Sequence, residues 1–429
     1  MRSNKPFSVA KPIFMILMTL LLASVAHAQT QETKLKVLHT FHGKDGGSPM
    51  GVLVLDAAGN IYGTTIGGGT GKCNKMGCGT AFELNKSGGQ VWLHSFEGAN
   101  GYNPDAGLLR DAAGNLYGTT DVGGKISKNC GGVQEGGCGV VFKLDKTGAE
   151  TFLYKFKGAP DGSYPESLLV AGKAGNLYGT TYMGGSSFAG TVFKVDTKGK
   201  ETILYSFCSQ TSCSDGQYPY PGVILDAAGN IYGVTASGGA IGAGEVFELD
   251  TAGKETVLYS FSGGSDGSGP FSVLLFDAAG NLYGTTQEGG NDGCTYGAGC
   301  GVVFELSPHS DGNWTESVLY TFCSLSDCTD GERPLTGPLV RDSAGNIYGT
   351  TYFGGNMNLC DGSCGVVFKL DSAGKETVLH TFTGGADGAF PYAGLVSDGH
   401  GNLYGTTQGG GATCYTSFTC GVVFKITLN

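Results

Sequence analysis

The sequence runs to 429 residues, carries a formal net charge of −11, and contains 78 glycines and 14 cysteines. An acidic chain repels nucleic acid and anionic lipid, so neither is expected as a partner. Glycine far above its usual share of about 7%, without a three-residue period, excludes collagen and points to turn-rich β structure.

In chain order, Arg2, Lys5 and Lys11 precede an apolar run from Ile13 to Val25, and Ala26-His27-Ala28 stands before Gln29. This is the pattern of a secretory signal peptide over 1–28, not of a membrane span. The remaining chain, 29–429, is expected to be one monomeric domain, secreted or periplasmic, with no membrane span. No apolar tail or sorting signal follows Ile426, so no anchor is expected.

Leu35–Phe41 reads as a lone strand, and after it one phrase returns seven times. Its core, "GN(I/L)YG(T/V)T", starts at Gly59, Gly114, Gly175, Gly229, Gly280, Gly345 and Gly401. Each copy sits in a unit of four short runs rich in Val, Ile, Leu, Tyr and Phe, bounded by Gly, Asp, Asn and Pro, which is the composition of strands. We label them a ("GVLVLD"), b ("NIYGTT"), c ("GVVFKL") and d ("TVLYSF"). D-A-A-G between a and b, and D-x-x-G between c and d, predict tight hairpins in which Asp opens the turn and Gly closes it. A four-stranded antiparallel unit repeated seven times predicts an all-β, seven-bladed β-propeller. Leu35–Phe41 is then the d strand that the last a-b-c set, Leu395 to Ile426, lacks, so the ring is expected to close with strands from both termini.

The phrases "GN(L/I)YGTT..GG" and "G.VFKLD..G.ET.LYSF" resemble the GloVer tandem-repeat family over nearly all of Leu35–Ile426. The resemblance implies an exported bacterial repeat protein and brings no settled activity with it. Family members are named for variable anchoring tails, a feature this sequence does not show after Ile426. The strand order also looks like that of NHL-type propellers, at the level of fold only.

Propeller geometry puts the a-b and c-d hairpins on one face. The b-c loops and d-to-a crossings form the other, the loop face, which carries the variable segments and all 14 cysteines. These come as close pairs: Cys73 with Cys78, Cys130 with Cys138, Cys208 with Cys213, Cys294 with Cys300, Cys323 with Cys328, Cys360 with Cys364, and Cys414 with Cys420. The b-c loops that lack one cysteine lack both, as bonded partners do, so within-loop disulfides are expected. Zinc ligation is the alternative, but no histidine accompanies the pairs.

His39, His94 and His380 occupy a d-strand position where other blades have Tyr154, Tyr205, Tyr259 and Tyr320, so a packing role is expected rather than a general base. A (D/N)GxxP turn precedes each phrase, from Asp45–Pro49 to Asp387–Pro391. Its acids could hold calcium through oxygen ligands. Turn capping explains them without a metal, and no cofactor is expected.

Two sets of positions vary most between blades, both at the mouth of the central channel. Directly after the turn proline stand Met50, Asp105, Glu166, Tyr220, Phe271, Leu335 and Tyr392; after the Thr-Thr of strand b stand Ile66, Asp121, Tyr182, Ala236, Gln287, Tyr352 and Gln408. Aromatic rings with acids and amides suit sugars. Asp105, Glu166, Tyr220, Phe271, Tyr392, Asp121, Tyr182, Gln287, Tyr352 and Gln408 are the ligand-binding candidates. The favoured function is a non-catalytic propeller recognising an extracellular glycan or protein partner. The alternative is a carbohydrate-active hydrolase or lyase in which Asp105 and Glu166 serve as acid and nucleophile or base, with Arg110 and Arg341 on strands a as the nearest cations.

Overall fold

The phrase that recurs in the sequence recurs as a sheet. In the computed structural model, which describes residues 1, 33–73, 75–124, 126–130, 136–294, 298–360, 363–415 and 418–428, seven antiparallel sheets follow the order a-b-c-d. The first is Val54–Leu55, Ile61–Thr65, Thr80–Leu84 and Gln90–Ser95. In the last, Lys34–Thr40 pairs with Val422–Thr427, which pairs in turn with Asn402–Thr407. The expected signal peptide lies outside the described residues, and Thr33–Asn429 is one structural unit. Among the described residues no helix is long and apolar enough to cross a membrane.

The polar residues of the phrase have fixed partners. Asp56 accepts the backbone N–H groups of Ala58 and Asn60, the Asn60 side-chain amide and the Tyr62 hydroxyl at 2.9 to 3.1 Å. One carboxylate thereby orders the whole a-b turn. The same Asp–Tyr bond recurs at Asp111, Asp277, Asp342 and Asp398. Gly63 lies across from Phe82, and a Cβ there would come within 2.6 Å of the Phe82 ring. Strand b needs glycine because strand c needs phenylalanine.

Those c-strand rings weld the blades together. The Phe that ends each strand d meets the c-strand Phe of the next blade edge-to-face, with centroids 5.0 to 5.3 Å apart, and all of them are buried. Burying each ring contributes about 2 to 3 kcal/mol. On the loop face, Gly79, at φ +91°, would bring a Cβ within 2.6 Å of Pro104 Cδ of the following blade. The glycine before strand c and the turn proline are thus two halves of one contact.

All 14 cysteines are paired, in the seven within-loop combinations expected, which removes the thiolates that zinc would need. Seven disulfides belong to an oxidising compartment. The histidine position does more than pack. His39 Nε2 and His380 Nε2 each lie 3.1 Å from a turn carboxylate, Asp45 and Asp387, where Tyr154, Tyr259 and Tyr320 donate a hydroxyl to Asp161, Asp266 and Asp330. Tyr and His interchange because both put a polar ring tip at that carboxylate.

Candidate functional site

The residue before each turn proline sets up the mouth. Ser48, Asn103, Tyr164, Tyr218, Arg333 and Phe390 all adopt left-handed backbone, with φ of 54 to 62°, although proline neighbours and Cβ sterics both disfavour it. The conformation is held from two sides. Asn103 N–H donates to Cys78 O of the preceding blade at 3.1 Å, and Asn103 O accepts Asp121 N–H at 3.0 Å. The same two bonds recur around Tyr164, Tyr218, Arg333 and Phe390. The residues before and after the proline are therefore brought beside the residue after Thr-Thr.

This joins the two variable sets expected from sequence and adds a third, the pre-proline side chains. Tyr218 stacks on Tyr182 at 5.0 Å, and Phe390 leans on Tyr352 at 5.3 Å. Tyr182 also meets Tyr220, and Tyr220 meets Phe271. Tyr352 meets Tyr392. Two aromatic arcs result, and the Tyr220 and Tyr392 hydroxyls join them across the mouth at 2.9 Å. Tyr352 donates to Gln408 Oε1 at 2.7 Å, and Gln408 Nε2 reaches Met50 Sδ at 3.6 Å. Gln287 stands half-buried at the end of its strand b, and Leu335 lines a separate recess.

Asp105, Asp121 and Glu166 form one acidic sector of the same mouth. Each keeps some solvent contact, yet the surrounding protein dominates. Burial, with Asp105 and Asp121 beside it, pushes the Glu166 carboxyl up to about 11. Burial raises Asp121 to about 6 and, with Asp121 nearby, holds Asp105 well above the usual carboxylate range. The Tyr220 hydroxyl lies beside Asp105. The cations expected nearby are engaged elsewhere. Arg110 lies 3.8 Å from Asp56 and over the Tyr62 ring, and Arg341 lies over the Tyr283 ring. Both lean on the neighbouring blade's b-strand Tyr rather than on the acids.

The space between these groups is small. The recess lined by Met50, Asp105, Glu166, Tyr220 and Tyr392 has a free volume of about 20 Å³, room for about one water. A space of that size is too small to hold a sugar ring.

Several solved structures are similar to the chain at low sequence identity. The extracellular domain of a hybrid two-component system from B. thetaiotaomicron is 12% identical, with a TM-score of 0.51 over 92% of this chain and 41% of that one. A protein described as a candidate gluconolactonase is 11% identical, with a TM-score of 0.42 over 93% of both chains. A luciferin-regenerating enzyme is 14% identical, with a TM-score of 0.43 over 75% of this chain and 90% of that one. No protein of curated function matches the sequence. The profile of the Gloeobacter/Verrucomicrobia repeat matches residues 24–212, 128–330 and 293–429, so the repeat extends through the folded chain and the protein belongs to that family.

Proposed function

We propose that the chain is exported through its 1–28 signal segment and acts as a non-catalytic binding propeller for an extracellular glycan. The observation that carries this reading is the pair of aromatic arcs, Tyr182-Tyr218-Tyr220-Phe271 and Tyr352-Phe390-Tyr392. Half-buried rings fixed against one another offer apolar faces at little entropic cost, with hydroxyl, amide and carboxyl edges beside them for sugar hydroxyls. The one-water recess supports binding over hydrolysis, because a space of about 20 Å³ between Asp105, Glu166, Tyr220 and Tyr392 does not admit a sugar ring.

One observation favours the hydrolase reading. Burial raises the Asp121 carboxyl to about 6, and burial with both aspartates beside it pushes Glu166 up much further, a split that suits a base and an acid. Purified 29–429 on a glycan array, followed by affinity and reducing-sugar release against one hit, separates the two. For a binder, Tyr220→Ala costs about ten-fold in affinity, and neither wild type nor Glu166→Ala turns over substrate. Turnover by the wild type that is lost in Asp105→Ala or Glu166→Ala overturns the proposal.

A further inference from the structure

Strand c opens on the same kind of residue in six blades, and one blade breaks the pattern. Thr80, Val140, Thr191, Val302, Val366 and Val422 hold the place in the six. In the fourth blade, built of Val223–Leu225, Ile231–Thr235, Glu245–Leu249 and Glu255–Ser260, it is Glu245. All seven are fully buried. The Thr80 and Thr191 hydroxyls pair with those of Thr65 and Thr181 on strand b at 2.8 Å. Glu245 lies opposite the equivalent Thr235 and makes no such bond. Among the described residues it alone has both carboxyl oxygens shut off from solvent without a hydrogen-bond partner. Thr or Val fills this place elsewhere with no charge to satisfy, so a glutamate here calls for a partner from outside the chain.

Oxygens gather around that carboxyl. A Cβ on Gly216, in the crossing turn before the blade, would meet Glu245 Oε1 and Thr235 Oγ1 at 2.6 Å each. A Cβ on Gly239, in the b-c loop, would lie 3.1 to 3.3 Å from Ser260 Oγ, Gly244 O and Glu245 Oε2. One carboxyl thus reaches from the turn to the loop. Thr235 donates its hydroxyl hydrogen to Ser237 O at 3.0 Å, and Ser260 Oγ accepts Ala240 N–H at 3.4 Å, so both hydroxyls keep a lone pair to give. Asp215, next to Gly216 in the chain, is also fully buried, and its bonds to Ser209, Tyr205 and Gln210 favour the charged form. Burial first, then Glu255 and Asp215, pushes the Glu245 carboxyl up to about 9, so charge without a counterion is disfavoured there.

We propose that Glu245 holds a calcium ion, together with Thr235, Ser260 and the Gly244 carbonyl, between the b-c loop of the fourth blade and the crossing turn that precedes it. Carboxylate, hydroxyl and carbonyl oxygens are the ligands of a hard cation. Calcium accepts about six to eight of them in tolerant geometry, water completing the set, whereas magnesium demands a near-ideal octahedron. The place also gives the ion a task. The b-c loops after Tyr182 and Ala236 are the two that contain no cysteine, and the ion ties residues 236–244 to the Asp215–Gly216 turn where other loops have a disulfide. A single carboxylate among neutral oxygens puts the site in the weak class of extracellular modules, with Kd of about 10⁻⁴ to 10⁻³ M.

The test uses 29–429 stripped of metal with a chelator, then titrated with calcium chloride while sodium chloride holds the ionic strength constant. Calorimetry should show binding with the stated Kd, and the melting temperature should climb with each tenfold rise in calcium above it. Amide exchange across 236–244 should slow at the same time. Glu245→Thr installs the residue that two other blades carry at this place, so it should fold, and it should lose the calcium-dependent heat, the melting shift and the slowed exchange. Glu245→Gln keeps the size without the charge and should lose them as well, which covers the case of a poorly folded Thr variant. A wild type indifferent to calcium would overturn the proposal, and so would a response that survives in both variants. A wild type that ignores calcium yet melts lower as pH rises, when Glu245→Gln does not, would also overturn it, by putting a proton in the ion's place.

Discussion

The two faces of the propeller order their loops by different means. On the hairpin face each a-b turn is organised by its own Asp, whose donors lie within six residues, so every turn is self-sufficient and nearly identical. On the loop face a disulfide staples most variable loops locally, and further order comes from neighbouring blades: the left-handed pre-proline residues bonded to the preceding blade, and the Gly–Pro contacts. Local satisfaction leaves no room for variation, whereas a covalently stapled loop tolerates almost any content. The faces thus divide labour, one repeating and the other differing.

The largest expected effect tests what the faces share. Phe304→Ala removes a ring that joins two blades and should cost about 3 to 5 kcal/mol, read by urea unfolding, with exchange rising on both faces alike. A loss confined to one face would mean the blades are not coupled through these rings. Removing one staple, as in Cys73→Ser with Cys78→Ser, should cost about 2 kcal/mol and speed exchange only in its own loop. Equal loosening of the hairpins would erase the contrast between faces. Asp277→Ala should cost about 1 to 2 kcal/mol, visible in exchange at 277–283 and silent on the loop face. Smallest in mildly acidic solution is Glu166→Gln. Glu166 is raised, so its stabilisation is complete below about 4.5 and declines as pH climbs toward about 11. The variant should melt like wild type near pH 4.5 and lose less than wild type as pH rises toward about 10, and a variant less stable than wild type at pH 7 would show that Glu166 works as an anion.

Blade number, strand order and the convergence of Asp105, Glu166, Tyr220 and Tyr392 were legible in the sequence because the repeat fixes each position's height and radius. The cysteine pairs were legible because they come and go together. The pre-proline side chains were not, although Tyr164, Tyr218, Arg333 and Phe390 vary as freely as their neighbours. Only the backbone bonds between blades show that this position faces the mouth. The Tyr220–Tyr392 bond spans 172 residues, a separation no local pattern encodes. Arg110 and Arg341 were placed on the correct strands but toward the wrong partners, since a repeat fixes where a side chain starts and not how far it leans.

The sheet that pairs Lys34–Thr40 with Val422–Thr427 also sets a timetable. The first strand of the domain to leave the ribosome, or to cross a membrane, has its partner almost four hundred residues behind it. Until that partner arrives, "KLKVLHT" remains an unpaired edge, and Phe41 has no seventh blade beside it. The other six blades can assemble in order of synthesis, each on the one before, while completion waits for the last segment to be delivered. A chain delivered from its N-terminal side therefore leaves the ring unfinished until Val422–Thr427 arrives, and the interval before that arrival is its most vulnerable.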